Sequence, residues 1–128
     1  MLRKSSDSVK IFFPKFNLEA VIKEIRRAIS LLSSQLALEK VILFGSYAKG
    51  RYTVASDIDL FIVFDELRCD RDTVYRTLMK NIKLPRLELH LLSRKDYEEM
   101  GSSRWIREIE DEGIEILNTN PRTVGLNS

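Results

Sequence analysis

Two carboxylates stand one residue apart, Asp57 and Asp59, at the head of an apolar run from Ile58 to Phe64. On a strand alternate side chains share a face, so these two carboxylates do too. Ten residues separate Asp57 from Gly45-Ser46, a small-residue turn that closes an earlier apolar run, Val41-Ile42-Leu43-Phe44. Paired carboxylates facing a turn with free backbone N–H groups can hold Mg2+ and a nucleoside triphosphate together. That combination suits transfer of a nucleotidyl group. Such a transfer needs an activated attacking oxygen, an α-phosphate held in line, and neutralised charge on the departing pyrophosphate. Two Mg2+ ions about 3.5–4 Å apart serve all three needs. Mg2+ prefers carboxylate oxygens, substrate phosphates and waters, so the chain should supply two or three carboxylates and leave other positions open. Asp57 and Asp59 fit as the shared ligands. Glu88 is the natural third, because it interrupts a Leu-rich run, Leu87 to Leu92, where burying it unpaired would be expensive.

The phosphate side draws on the residues that follow the first run. Gly45 permits a tight turn and close approach of the backbone to a ligand. Ser46 offers its hydroxyl and N–H to a β- or γ-phosphate, and a helix starting there would favour an anion. Lys49 and Arg51 are close enough in sequence to neutralise phosphate charge. Each feature has a plainer reading. Glycine-serine turns are common between elements. An isolated Asp-x-Asp often caps a strand end, and Glu88 could be a surface residue on an edge strand. What argues for chemistry is the order: strand, Gly-Ser, ten residues, Asp-x-Asp, strand, then a later strand carrying an acid. His90 shares a strand face with Glu88 and reads as a partly buried structural histidine. Trp105, at helical spacing with Ile109, reads as core, and Cys69 as incidental.

The elements that must position these residues follow from periodicity. Asn17 is a helix cap, and Leu18, Val21, Ile22, Ile25, Ile29 and Leu32 form one apolar stripe after it. Val41–Phe44 is a buried strand, residues 46–51 a turn or short helix, and Ile58–Phe64 a strand covered on both faces. Asp70 to Asn81 is a helix with Val74, Leu78 and Met79 inward, and Leu87–Leu92 a third strand. Ser93 caps a short helix to Met100. Ser102 or Ser103 caps another that stops at Gly113, and Ile114–Leu117 adds a strand. The expected domain is 16–118, between a basic N-terminal tail, 1–15, and a C-terminal tail, 119–128.

At 128 residues, with 44% apolar and 31% charged residues, the chain is the size of one globular domain. One cysteine excludes an internal disulfide and argues against a cysteine-based metal site. No apolar run is long enough for a membrane helix, and Met1 to Asp7 lacks a signal-type segment, so a cytoplasmic protein is expected. The formal net charge of +2 gives no argument for nucleic acid and leaves it open. Phe12, Phe13 and Phe16 could serve a homo-oligomeric interface.

Gly45-Ser46, ten residues, and Asp57-Ile58-Asp59 resemble the signature of the DNA polymerase β-like nucleotidyltransferase superfamily. The small size is similar to its minimal nucleotidyltransferases, and so is the ending Trp105-Ile106-Arg107-Glu108-Ile109-Glu110-Asp111-Glu112-Gly113-Ile114. The resemblance spans about residues 17–117. It implies an α+β (α/β) fold, a small mixed sheet with helices packed mainly on one face. It implies Asp57, Asp59 and Glu88 as metal ligands, Gly45 and Ser46 as the triphosphate grip, Mg2+ as cofactor, and ATP or another nucleoside triphosphate as substrate. Glu88 departs from the Asp often found at the third position. Many members of this group are paired with a helical HEPN protein, often an RNase toxin, and act as antitoxin, in some cases by transferring AMP to a toxin tyrosine. Two rival expectations stand beside this. One is a module that neutralises its partner by contact alone. The other keeps the chemistry but takes RNA or a small molecule as acceptor.

Overall fold

Asn17 opens the fold as a helix cap, its side chain accepting the Ala20 N–H at 2.8 Å, which satisfies an amide the first turn leaves unpaired. The protein is described by a computed structural model that covers residues 17–53 and 55–119. The expected N-terminal tail, with the interface at Phe12, Phe13 and Phe16, lies outside the described residues. So does the expected C-terminal tail beyond Thr119, whose N–H donates to the Glu39 carbonyl at 2.9 Å.

The elements run α1 (Leu18–Leu32), β1 (Leu38–Phe44), β2 (Ile58–Phe64), α2 (Arg71–Asn81), β3 (Leu87–Ser93), α3 (Arg94–Met100), α4 (Arg104–Glu112) and β4 (Ile114–Asn118). The strands form one mixed sheet in the order β3-β2-β1-β4. β1 pairs antiparallel with both β2 and β4, while β2 and β3 run parallel. A parallel pair needs a crossover, and α2 supplies it.

The main core lies on one face of the sheet. There Val21, Ile25 and Ile29 of α1 and Val74 and Leu78 of α2 pack on Val41, Leu43, Leu60 and Ile62. A smaller cluster on the opposite face joins Ile106 and Ile109 of α4 to Ile42, Phe61 and Val63. β2 can therefore be apolar on both sides. Gly113 ends α4 with ordinary extended φ and ψ of −80° and 171°. Its glycine is needed for space, since a side chain there would collide with Ile42 and the Ile109 carbonyl.

Two expectations need correction. β1 begins at Leu38, three residues before the apolar run, because Lys40 is buried with partners on α3 and α4. Met79 is 38% exposed; it lies one residue beyond Leu78, about a quarter-turn off the Val74–Leu78 stripe. Among the described residues no helix is long and apolar enough to cross a membrane.

Candidate active site

Strand register decides what Asp59 meets. Across the antiparallel ladder it lies opposite Phe44, the last residue of β1. Across the parallel ladder it lies opposite Glu88 on β3. Gly45 follows Phe44, so the turn leaves the sheet beside Asp59. The approach is close: a methyl group at position 45 would lie 2.6 Å from Asp59 Oδ2. Gly45 also takes φ +80°, a left-handed conformation that glycine adopts without a Cβ penalty. Asp57 is exposed, just ahead of β2. The structure thus brings Asp59, Glu88 and the Gly45 turn to one end of the sheet, with Asp57 adjacent in sequence.

His90 extends this cluster. Its Nε2 lies 3.3 Å from Asp59 Oδ1, and its ring meets Phe44 edge-on with centroids 5.1 Å apart. The Asp59 carboxylate is therefore held between the turn and an imidazole, with its side chain 24% exposed. Glu88 needs a correction. It is exposed on an edge strand, so the cost of burying a charge does not apply to it, and its register with Asp59 is what remains.

Among the described residues no three carboxylate, imidazole or thiolate groups are already drawn together as a metal-ligand set. The donors still suit Mg2+, being hard carboxylate oxygens. Asp57 and Glu88 are both exposed, and side-chain rotation is open to them.

The 45–50 segment is a turn rather than a helix. Lys49 N–H donates to the Gly45 carbonyl at 3.1 Å, Gly50 to Tyr47 at 3.2 Å and Arg51 to Ser46 at 3.0 Å. Among the described residues no backbone carbonyl takes the N–H groups of Ser46, Tyr47 or Ala48. Tyr47 anchors the turn. It is buried, and its ring stacks on Tyr52 with centroids 4.4 Å apart. Burial, with Tyr52 beside it, holds the Tyr47 phenol above its ordinary pKa. Tyr52 Oη in turn accepts the Leu18 N–H at 3.0 Å, tying the turn to the start of α1. Lys49 is half-exposed and pairs with Glu112 at 3.5 Å, and Arg51 is exposed.

A buried polar group fastens α3 and α4 over the face of the smaller cluster, further along the sheet. Lys40 Nζ donates to Tyr97 Oη of α3 and to Glu110 Oε2 of α4, each at 2.9 Å, and Tyr97 donates to the same carboxylate. Burial alone would lower the Lys40 pKa, but these hydrogen bonds and the attraction of the two oxygen partners together outweigh it and the pKa is raised. Tyr97 is raised as well, chiefly by burial. The fastened α4 carries Trp105, which is not core as expected but 42% exposed. Its ring sits edge-on near Phe44, Phe61 and His90, with centroids 6.4, 5.9 and 6.1 Å away. Sequence reading assigned His90 a structural role and Trp105 a core position, whereas the structure sets His90 against Asp59 and Trp105 beside His90. Strand alternation had already put His90 on the face of Glu88. Trp105 lies one residue off the Ile106–Ile109 stripe, which marks a rim position.

The chain matches the nucleotidyltransferase domain family over residues 22–113. It is 34% identical over 100 residues to "Putative protein adenylyltransferase MJ0141" of Methanocaldococcus jannaschii, covering 75% of this chain and 95% of that protein. It is 36% identical over 76 residues to "Putative protein adenylyltransferase MJ1379" of the same organism, covering 58% of this chain and 76% of that protein. Two solved structures are more distant. A putative nucleotidyltransferase from Sulfolobus solfataricus has a TM-score of 0.44 at 22% identity, covering 64% of this chain and 75% of that one. A toxin-antitoxin with AMP-PNP has a TM-score of 0.47 at 19% identity, covering 76% of each chain. At that distance they add nothing to the family match.

Proposed function

This chain belongs to the nucleotidyltransferase domain family and is a nucleotidyltransferase, and we propose that it moves AMP from ATP onto a hydroxyl of a HEPN-type partner protein, acting as a cytoplasmic antitoxin. The observation that carries the reading is the meeting of Asp59 with Gly45 on one side and Glu88 on the other. Support for a protein acceptor comes from the curated relatives, which are named as protein adenylyltransferases.

In this reading Asp57 and Asp59 would hold Mg2+ between them, with Glu88 completing the set on the acceptor side. Bound there, Mg2+ would offset charge on the triphosphate and favour an ionised acceptor hydroxyl. The chain's own work is placement. Gly45 lets the backbone approach the triphosphate, and Ser46 offers its N–H and hydroxyl to the β- or γ-phosphate. Lys49 and Arg51 offset phosphate charge, and to do so Lys49 exchanges Glu112 for the ligand. His90 restrains Asp59 through Oδ1. The acceptor oxygen attacks the α-phosphorus in line. Its bond to phosphorus forms as the bond to the bridging β-oxygen breaks, pyrophosphate departs, and the hydroxyl proton passes to the carboxylate cluster.

The test is the intact mass of a HEPN partner encoded beside this chain, co-expressed with wild type or with Asp57→Asn/Asp59→Asn. The reading expects the partner to gain whole AMP units with wild type only. An unmodified partner that is neutralised equally by both forms would favour the contact-only module. An unmodified partner with AMP found instead on RNA or a small molecule from the same cells would replace the acceptor.

A further inference from the structure

Beside the Gly45 turn lies a groove of about 160 Å³, floored by Phe44 and Ile109 and walled by Trp105. Glu108 and Glu112 line its α4 side, and Gly45 and Lys49 its turn side. We infer that this groove receives the nucleobase of the substrate, and that Trp105, Glu108 and Glu112 favour bases bearing an amino group over uracil. The inference rests on the nucleotidyl-transfer reading above and gives it a specificity.

Three features point to a base rather than another part of the ligand. First, the groove and the proposed phosphate turn share Gly45 and Lys49. A nucleotide gripped at the turn therefore has the groove within reach of its own ribose. Second, the groove suits a flat ring. Its apolar surface is aromatic and aliphatic, and Trp105 is braced by three neighbouring rings while remaining 42% exposed. Aromatic faces of this kind stack bases irrespective of sequence. Third, the charge has the wrong sign for phosphate. Two carboxylates on one helix, Glu108 paired among the described residues only with the exposed Arg104 at 3.7 Å, would repel a triphosphate, yet they accept hydrogen bonds from the exocyclic amine of adenine, as carboxylates do from cytosine. Uracil carries a carbonyl oxygen at the matching position and would meet a carboxylate acceptor to acceptor. Lys49 stands at the boundary. Its ion pair with Glu112 at 3.5 Å spans from turn to helix, so a phosphate that recruits Lys49 would release Glu112 towards the base.

The chain has a single tryptophan, so its fluorescence reports on this groove alone. The experiment titrates the full chain in Mg2+ with ATP, UTP and inorganic tripolyphosphate, following Trp105 emission and, independently, calorimetric affinity. The inference expects ATP to change the emission and tripolyphosphate to bind without doing so. It expects Trp105→Ala to weaken ATP on the order of tenfold, a stacking-sized loss, with tripolyphosphate affinity unchanged and Trp105→Phe close to wild type. It expects Glu108→Ala/Glu112→Ala to erase the preference for ATP over UTP. ATP affinity unmoved by Trp105→Ala, or lost together with tripolyphosphate affinity, would overturn the base site, and so would an ATP-to-UTP ratio unchanged in the double variant. If wild type bound ATP and tripolyphosphate alike with silent emission, the base site alone would fall. Binding of neither would remove the transfer reading too.

Discussion

Gly45 and Gly50 both take positive φ, +80° and +74°, yet they should answer substitution differently. A side chain at Gly50 meets nothing within 4 Å, whereas one at Gly45 runs into Asp59 Oδ2. Gly50→Ala should therefore cost only backbone strain, about 1–2 kcal/mol, and leave transfer intact. Gly45→Ala carries the same strain and also displaces the carboxylate. It should lower Tm further and cut transfer by at least an order of magnitude, on the scale of a misplaced catalytic group. Thermal melts and transfer rates on the two variants check this, and equal losses of activity would break the link between Gly45 and Asp59. At this scale the sequence is a good guide to which residue types matter and a poor one to their neighbours. Gly-Ser and Asp-x-Asp are local patterns. The His90 contact to Asp59 spans 31 positions and depends on strand order, which no local pattern contains. Glu88 drew attention as a buried acid, and its actual exposure follows from β3 being the edge strand, again a matter of order.

The helices of the smaller face owe their seat to Lys40. Because the folded pKa values of Lys40 and Tyr97 are both raised, the folded state keeps these protons when the unfolded chain releases them. Stability from the group is then fully present below the ordinary values of 10.0 and 10.5 and is lost as pH rises past them. Urea midpoints should fall from about pH 10 upward, and Tyr97→Phe should make that fall shallower. A midpoint flat across the range would argue against the buried group. The same lysine explains why β1 was read too short. Glu39 and Lys40 look like a polar boundary, and what lets Lys40 enter the sheet is Glu110, 70 positions away. Caps were legible for the opposite reason. The side chains of Asn17, Ser93 and Ser103 each bond an amide three residues on, so the signal lies within the window a reader scans. Met79 and Trp105 were misplaced by one helical position each, which at about 100° per residue turns an inward side chain outward.

Across the whole molecule, the sheet has its most exposed dependence at β4. Among the described residues that strand pairs with β1 alone, and it brings Ile114, Ile116 and Leu117 against the main core. Removing residues 114–128 would leave β1 as an open apolar edge, the kind of surface that pairs with other chains. The truncated protein should lose its cooperative melt and elute as aggregate in size exclusion, and a monomer with wild-type Tm would show that β4 is dispensable. The chemistry is likewise a property of the whole fold, because the turn, β2, β3 and α4 each contribute one side of the same end. The most direct measurement supplies ATP labelled at either the α- or the γ-phosphate, with Mg2+ and lysate of the source cells, to wild type and to Asp57→Asn/Asp59→Asn. Nucleotidyl transfer predicts α-label, and no γ-label, on a discrete protein band with wild type alone. Transfer of γ-label, or α-label undiminished in the double variant, would contradict it.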